Sequence, residues 1–214
     1  MISSLSRKLQ ILAVVVVAAI GMNAAMTTSS AHAASLVEVA QVCDKYGDTP
    51  ASRLSNAANT LTTWCLINRE RKAAGVGFVS LNTQLLNAAM GHATRSVQGK
   101  WWDDNPAHPN GWQLSHEEPG NSASFDQQII QRIQAAGYCA GGSNWGGAEI
   151  TYGGPGANST PKAAVRWWMS DPPHRATLLD PQWKQVGVAG LSGSAFADTP
   201  NPAGTYVVEF GHCS

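Results

Sequence analysis

The N-terminus constrains the chain most, because its pattern is that of a cleavable export signal. Two basic residues, Arg7 and Lys8, precede an unbroken apolar run at 11–20, and the tripeptide Ala-His-Ala at 31–33 offers the small side chains that signal peptidase requires. The apolar run is shorter than the roughly 20 residues that span a bilayer. We therefore expect residues 1–33 to be a signal peptide and the mature protein to be secreted. The alternative is an uncleaved membrane anchor.

The four cysteines all follow the predicted cleavage site, as Cys43, Cys65, Cys139 and Cys213. An even number in an exported chain predicts two disulfides, although four cysteines allow three pairings. No two of them have a Cys-x-x-Cys spacing, which disfavours a zinc site built from thiolates. Oxidation would also consume a catalytic cysteine, so we expect none.

The mature part is long enough for one domain with its own core. We divide it into an N-terminal lead-in at 34–53 and a domain at 54–214. Removal of the signal takes away two of 14 basic residues and none of 14 acidic ones, which leaves a formal charge of −2. This balance gives no electrostatic reason to bind nucleic acid or anionic lipid. No later segment is apolar enough to suggest stable membrane insertion after cleavage.

Hydrophobic periodicity predicts helices and strands in a mixed order. Asn82 and the pair Thr160-Pro161 have the character of helix starts, and Gly75 that of a helix stop. Helices are predicted at 54–74, 82–99, 125–136, 160–171 and, as a further turn, 174–179; strands are predicted at 148–152, 184–190 and 205–211. Strands that cluster late, with helices around them, indicate an α+β fold.

Residues 101–124 form a long irregular segment, and loops of this length are often functional. His116-Glu117 within it does not begin a zincin motif, because Gly120 stands where the second histidine belongs. The glycine-rich stretch at 190–194 lacks the last glycine of a nucleophile elbow.

Several short phrases occur in an order that is more specific than any one of them. They are Cys65-Leu66-Ile67-Asn68-Arg69-Glu70-Arg71, Ala88-Ala89, Ser115-His116, Gly147-Ala148-Glu149-Ile150, Arg166-Trp167-Trp168-Met169-Ser170, His174-Arg175 and Val186-Gly187-Val188. In this order they resemble the CAP superfamily (cysteine-rich secretory, antigen 5 and pathogenesis-related 1 proteins), in its bacterial, SCP-like form. The resemblance implies a three-layer α-β-α sandwich around a short antiparallel sheet.

The resemblance also implies a surface cleft where histidines and acidic residues meet. It assigns His116, Glu149 and His174 to that cleft, with both histidines as candidate metal ligands. Read without a gap, the family's glutamate position falls on Ala148, so that Glu149 would point to the other side of the strand unless the backbone shifts. His108 is a rival for the first histidine.

Several other residues of the sequence are not assigned to this expected site. The family's second cleft glutamate has no obvious counterpart. We interpret His92 and His212 as packing or surface residues. The pairs Trp101-Trp102 and Trp167-Trp168 are interpreted as core and cleft wall.

Two imidazoles and a carboxylate suit Zn²⁺ or another divalent metal, and equally suit acid–base chemistry. Three hypotheses follow. The first, which we favour, is a secreted binding module rather than an enzyme, whose partner is a lipid or sterol, a cell-wall component or an extracellular protein. The second is a metal-dependent, peptidase-like hydrolase in which Glu149 is the base. The third is a structural extracellular protein with an inactive cleft.

Overall fold

The computed structural model describes residues 42–103, 111–199 and 201–214. The predicted signal peptide, the first part of the lead-in and His108 lie outside these residues. Their assignments remain predictions from the sequence.

Five α-helices account for most of the helical structure in the described part of the chain. They are α1 (Asn56–Ala73), α2 (Thr83–Gly99), α3 (Phe125–Ala135), α4 (Pro161–Ser170) and α5 (Pro172–Leu179). Short 3₁₀ turns lie at Ala51–Arg53, Gly111–Ser115 and Gly156–Asn158. The predicted helices are therefore present, and the last of them begins two residues earlier than expected.

Each of the five helices begins at a residue whose side chain accepts a hydrogen bond from the backbone of the first turn. These N-cap residues are Ser55, Asn82, Ser124, Thr160 and Asp171. Such a cap satisfies a backbone N–H that has no partner inside the helix. The two helix starts predicted from the sequence are confirmed.

In the part of the chain that the structure describes, four strands form one sheet in the order β1-β3-β4-β2: β1 (Ser80–Leu81), β2 (Trp145–Pro155), β3 (Gln185–Ser192) and β4 (Ala203–Cys213). Strand β4 pairs antiparallel with both β2 and β3. Strand β1 pairs parallel with β3. The sheet is thus mixed, whereas an antiparallel sheet was expected, because a two-residue strand is too short to leave an alternating pattern in the sequence.

The helices cover both faces of this sheet, so the predicted α-β-α sandwich is confirmed. Ile150, Val208 and Phe210 face a core that they share with α1, α4 and α5. Val207, on the other face, belongs to a core with α2, which continues into a cluster between α2 and α3. Gly187 allows α2 to approach closely, since a Cβ there would lie 2.0 Å from the backbone carbon of Leu85.

Two disulfides connect the N- and C-terminal parts of the described chain to the sandwich. Cys43 is bonded to Cys65 on α1, and Cys139 is bonded to Cys213 at the end of β4. The pairing that the sequence left open is thereby resolved. None of the described helices is both long and apolar enough to cross a bilayer.

Candidate functional site

His116 directly follows the 3₁₀ turn Gly111–Ser115, in the loop that approaches β2, and a second histidine holds that loop in place. His92 is fully buried on α2, where its Nε2 donates to the Ser115 carbonyl oxygen at 2.8 Å. Its Nδ1 lies 3.3 Å from Glu118 Oε1. His92 is therefore a packing residue, as expected, but one that fixes the segment carrying His116.

Glu149 contacts His116 directly. His116 Nδ1 lies 2.8 Å from Glu149 Oε1, and Arg132 Nη1 donates to Glu149 Oε2 at 3.0 Å. Arg132 also donates to the His116 carbonyl oxygen. The Glu149 side chain is 0% exposed. Each carboxylate oxygen has a hydrogen-bond partner inside the protein, which suits Glu149 to orienting the histidine.

The charge state of Glu149 fixes the tautomer of His116. Burial alone would raise the pKa of Glu149, but Arg132, followed by His92 and His116, holds it well below its ordinary value. An ionised carboxylate can only accept hydrogen bonds, so the proton of a neutral His116 lies on Nδ1. The other nitrogen, Nε2, then has its lone pair on the side of the ring away from Glu149.

The register of β2 explains why Glu149, and not Ala148, meets the histidine. Eleven consecutive residues of β2 pair with β4 without an extra residue, so successive side chains alternate between the faces. Ala148 packs against the core of α1 and α4. Glu149 points to the opposite face, where the loop end brings His116 to it.

Glu209 is a member of this cluster that the sequence analysis missed. It stands opposite Glu149 in the β2–β4 register and is fully buried. Among the described residues, neither of its carboxyl oxygens has a hydrogen-bond partner of good geometry, and Arg132 Nη1 lies 4.0 Å from Oε1. Burial, followed by the charge of Glu149, raises the pKa of Glu209 well above its ordinary value. A carboxylate inside the apolar phrase Val207-Val208-Glu209-Phe210 was the available signal.

His174 is held by a carboxylate as well. Asp171 caps α5, and its Oδ2 lies 2.5 Å from His174 Nδ1. Burial lowers the pKa of His174, against an opposing effect of Asp171 and with a further lowering by His116. Asp171 was also missed; its position before Pro172-Pro173, at a typical N-cap, could have indicated it.

Two cavities meet at the histidines. The larger, about 620 Å³, and the smaller, about 210 Å³, share Trp112, His116, Trp167 and His174. The remaining wall of the larger cavity is mainly apolar: Phe125, Ile129, Ile130, Ala148, Ile150 and Pro173. The smaller contains the hydroxyls of Ser115, Thr151 and Tyr152. The structure thus brings all three predicted site residues to one cleft, together with Trp167, a member of the two tryptophan pairs that the sequence assigned to core and cleft wall.

The two imidazoles of this cleft are donors of the kind that bind a divalent metal, and they supply only part of a ligand set. A carboxylate holds Nδ1 of each ring, which is the usual environment of a metal-ligating histidine. Within the described ranges, no group of three or more His, Cys, Asp or Glu side chains is placed to hold an ion. Water or a bound ligand would have to supply the other positions around a metal.

A disulfide-bonded α-β-α sandwich with histidines and carboxylates in a cleft defines the CAP, or SCP-like, class of domains. The sequence model of the cysteine-rich secretory protein family (CAP) matches residues 64–208. The chain belongs to this family. No curated protein matches the sequence.

Solved structures of similar fold come from several bacteria. An extracellular SCP-domain protein of Bacillus anthracis has 18% identity and a TM-score of 0.48. The match covers 72% of this chain and 40% of that protein's length. An outer surface protein of Borrelia burgdorferi has 18% identity and a TM-score of 0.49, with 71% and 90% of the two chains covered. The CAP domain of enterococcal PrgA has 14% identity and a TM-score of 0.41, with 81% and 69% covered. These likenesses concern the fold alone.

Proposed function

We propose that this CAP protein is an extracellular binding module that captures its ligand in the cleft between Trp112 and Trp167. The observation that carries the proposal is the pair of anchored imidazoles, His116 and His174, on the shared rim of an apolar and a more polar cavity. Concave, mainly apolar sites with a few fixed polar groups are typical of ligand binding. The two disulfides support an oxidising, extracytoplasmic location.

The polar groups of the cleft support binding over catalysis. Each oxygen of Glu149 accepts a hydrogen bond inside the protein, which supports a role in positioning His116 over one in activating a water. The Ser115 hydroxyl donates to the Trp112 carbonyl oxygen at 2.7 Å and accepts from Thr151 Oγ1 at 2.9 Å. Neither of these two partners is a base that would activate the Ser115 hydroxyl for attack.

We propose further that His116 and His174 bind a divalent ion such as Zn²⁺ at the cavity junction. Metal ligation requires neutral imidazoles, and burial lowers the pKa of His174, which favours its neutral form near pH 7. A bound ion would act as a Lewis acid toward an oxygen of the ligand. The protein itself would supply the two nitrogens and the carboxylates that orient them.

Calorimetric titration of Zn²⁺ into residues 34–214 at pH 7 tests the metal site. We expect one-to-one binding that disappears in His174→Ala and in the double variant with His116→Gln. His212→Ala is the matched control, because His212 stacks on Trp183 outside the cleft. It should bind Zn²⁺ like the wild type.

The outcomes separate the hypotheses. Zinc binding that survives both cleft variants, or that is lost equally in the control, would contradict the metal site. Hydrolysis of peptide or ester substrates that depends on Glu149 would favour the hydrolase. A cleft that binds no ion and no ligand, in a protein of unchanged stability, would leave the structural role.

A further inference from the structure

The outer edge of β2 forms part of the cleft. Strand β2 is the last strand of the sheet, with β4 on one side and no strand on the other among the described residues. At one end of the pair, Gly156 donates its N–H to the Pro202 carbonyl oxygen, and at the other, Ser214 donates to Asn144. Asn144 directly precedes β2 and Gly156 directly follows it. In each bond the two residues are direct partners when the register is extended by one position, and the residue on the β2 side has an even number.

Since the register runs without interruption between these ends, the even-numbered residues of β2 bond to β4. In an antiparallel pair the alternate residues direct their N–H and C=O groups away from the partner strand. Gly147 and Glu149 are the alternate residues in the part of β2 that lines the larger cavity, and Thr151 follows them along the strand. Their main-chain groups therefore point out of the sheet.

Two of these three residues are open. The Thr151 carbonyl oxygen accepts from Trp168 Nε1 at 2.8 Å, which closes the edge there. No hydrogen bond to the outward N–H or C=O of Gly147 or Glu149 occurs within the described structure. Glu149 is 7% exposed although its side chain is 0% exposed, so its exposed atoms are main-chain atoms. Both residues line the 620 Å³ cavity.

We propose that the ligand of the cleft is an extended peptide segment of another extracellular protein, which adds to the edge of β2 at Gly147 and Glu149. This inference rests on the proposed binding function and specifies its ligand class. The two residues offer two donors and two acceptors at the two-residue period of a strand, which an extended peptide matches with its own backbone. A lipid or sterol has no groups at this period and would leave the four main-chain groups unpaired.

The walls of the cavity define the side chain that the peptide carries. Ile129 and Ile130 of α3 lie on one side of the cavity, and Pro173 of α5 lies on the other, so a side chain that enters should be apolar. Asp126 and Asp171 also line this cavity, while no Lys or Arg lines either cleft cavity in the described part of the chain. A neutral or basic peptide is therefore favoured over an acidic one.

Amide hydrogen exchange followed by NMR tests this directly on residues 34–214. The probe is a library of acetylated, amidated hexapeptides with leucine fixed at the third position and the other positions randomised without Asp or Glu. We expect slowed exchange of the Gly147 and Glu149 amides when the library is added at millimolar concentration. In a separate titration with octyl glucoside, NMR chemical-shift changes of the cleft residues report whether the cleft binds a small amphipathic molecule at all.

A scan of the best library peptide with single N-methyl groups provides the matched control. Strand addition predicts a period of two: N-methylation at alternate positions should weaken binding about tenfold or more, and the positions between should tolerate it. Binding without this period would overturn the proposal, as would an absence of any peptide binding. Slow exchange of the two amides before peptide is added would overturn it too, since another part of the chain would then occupy the edge. If octyl glucoside binds and the peptides do not, the peptide proposal fails while the binding function stands.

Discussion

The buried carboxyl of Glu209 makes a quantitative prediction about stability. Arg132 is the cation next to both Glu149 and Glu209, and its guanidinium donates a hydrogen bond to Glu149. Because burial and the neighbouring Glu149 raise the pKa of Glu209, the native protein keeps a proton there that the unfolded chain releases above about pH 4.5. Glu209→Gln replaces this group by an isosteric amide that does not titrate.

The sign and size of the effect follow from proton linkage. Where the native state binds one proton more than the unfolded state, the free energy of unfolding falls as the pH rises, by about 1.4 kcal/mol per pH unit. The wild type loses this stability from pH 4.5 upward until Glu209 ionises in the native state, and Glu209→Gln does not. The variant should therefore gain on the wild type as the pH rises, by at most roughly 3.5 kcal/mol at pH 7.

Urea unfolding of both proteins at half-unit steps from pH 4 to pH 8 measures the difference. Glu149→Gln is the opposite control, because the pKa of Glu149 is lowered and its ionised form stabilises the native state above pH 4.5. That variant should be less stable than the wild type by an amount that is nearly constant above about pH 5 and that narrows only as the pH falls below 4.5. A Glu209→Gln difference that is independent of pH, or that favours the wild type increasingly toward neutral pH, would refute a protonated Glu209.

Three further changes have expected outcomes. Arg132→Met leaves Glu149 buried without its cation and should cost about 3–5 kcal/mol in the free energy of unfolding, measured with urea; a loss below 1 kcal/mol would contradict the ion pair. Replacing Cys139 and Cys213 by serine opens a loop with a sequence separation of 74, against 22 for the other disulfide, and should cost about 4 rather than about 3 kcal/mol. If thermal unfolding showed a larger loss of stability when Cys43 and Cys65 are replaced by serine, the stabilisation by the disulfides would not come from chain entropy. Trp112 is 55% exposed on the cleft wall, so Trp112→Ala should change thermal stability little but weaken ligand binding in the cleft roughly tenfold or more; unchanged affinity would remove Trp112 from the site.

The sequence predicted those parts of the fold that depend on local rules. Helix starts at Asn82 and Thr160 were recognisable because capping is decided by a few neighbouring residues. The two-residue strand β1 was not, since its pairing with β3 depends on chain segments about a hundred residues apart. The disulfide pairing was open for the same reason.

The site was predictable where motif and geometry coincide, as at His116 and His174. The partners that orient the two rings were harder to foresee. The sequence assigned Glu149 to the cleft but left open whether its side chain faces it, because the family's glutamate position, read without a gap, falls on Ala148. In the structure, the loop fixed by His92 brings His116 to the face that Glu149 occupies. Such a match between a loop and a strand face is set by tertiary packing and leaves no periodic signal.

The surroundings of the two edge strands, β1 and β2, relate the fold to the proposed binding mode. An open edge of a sheet invites pairing with other chains, and proteins usually shorten, cover or interrupt such edges. Here the edge at β1 has two residues, and the edge at β2 lies between α3 and α5 and is closed at Thr151 by Trp168. The part that is open along the larger cavity, from Gly147 to Glu149, lies within a groove. A single extended chain can enter such a groove, whereas the edge of another folded sheet is kept out by the flanking helices, so the same arrangement permits peptide capture and limits aggregation.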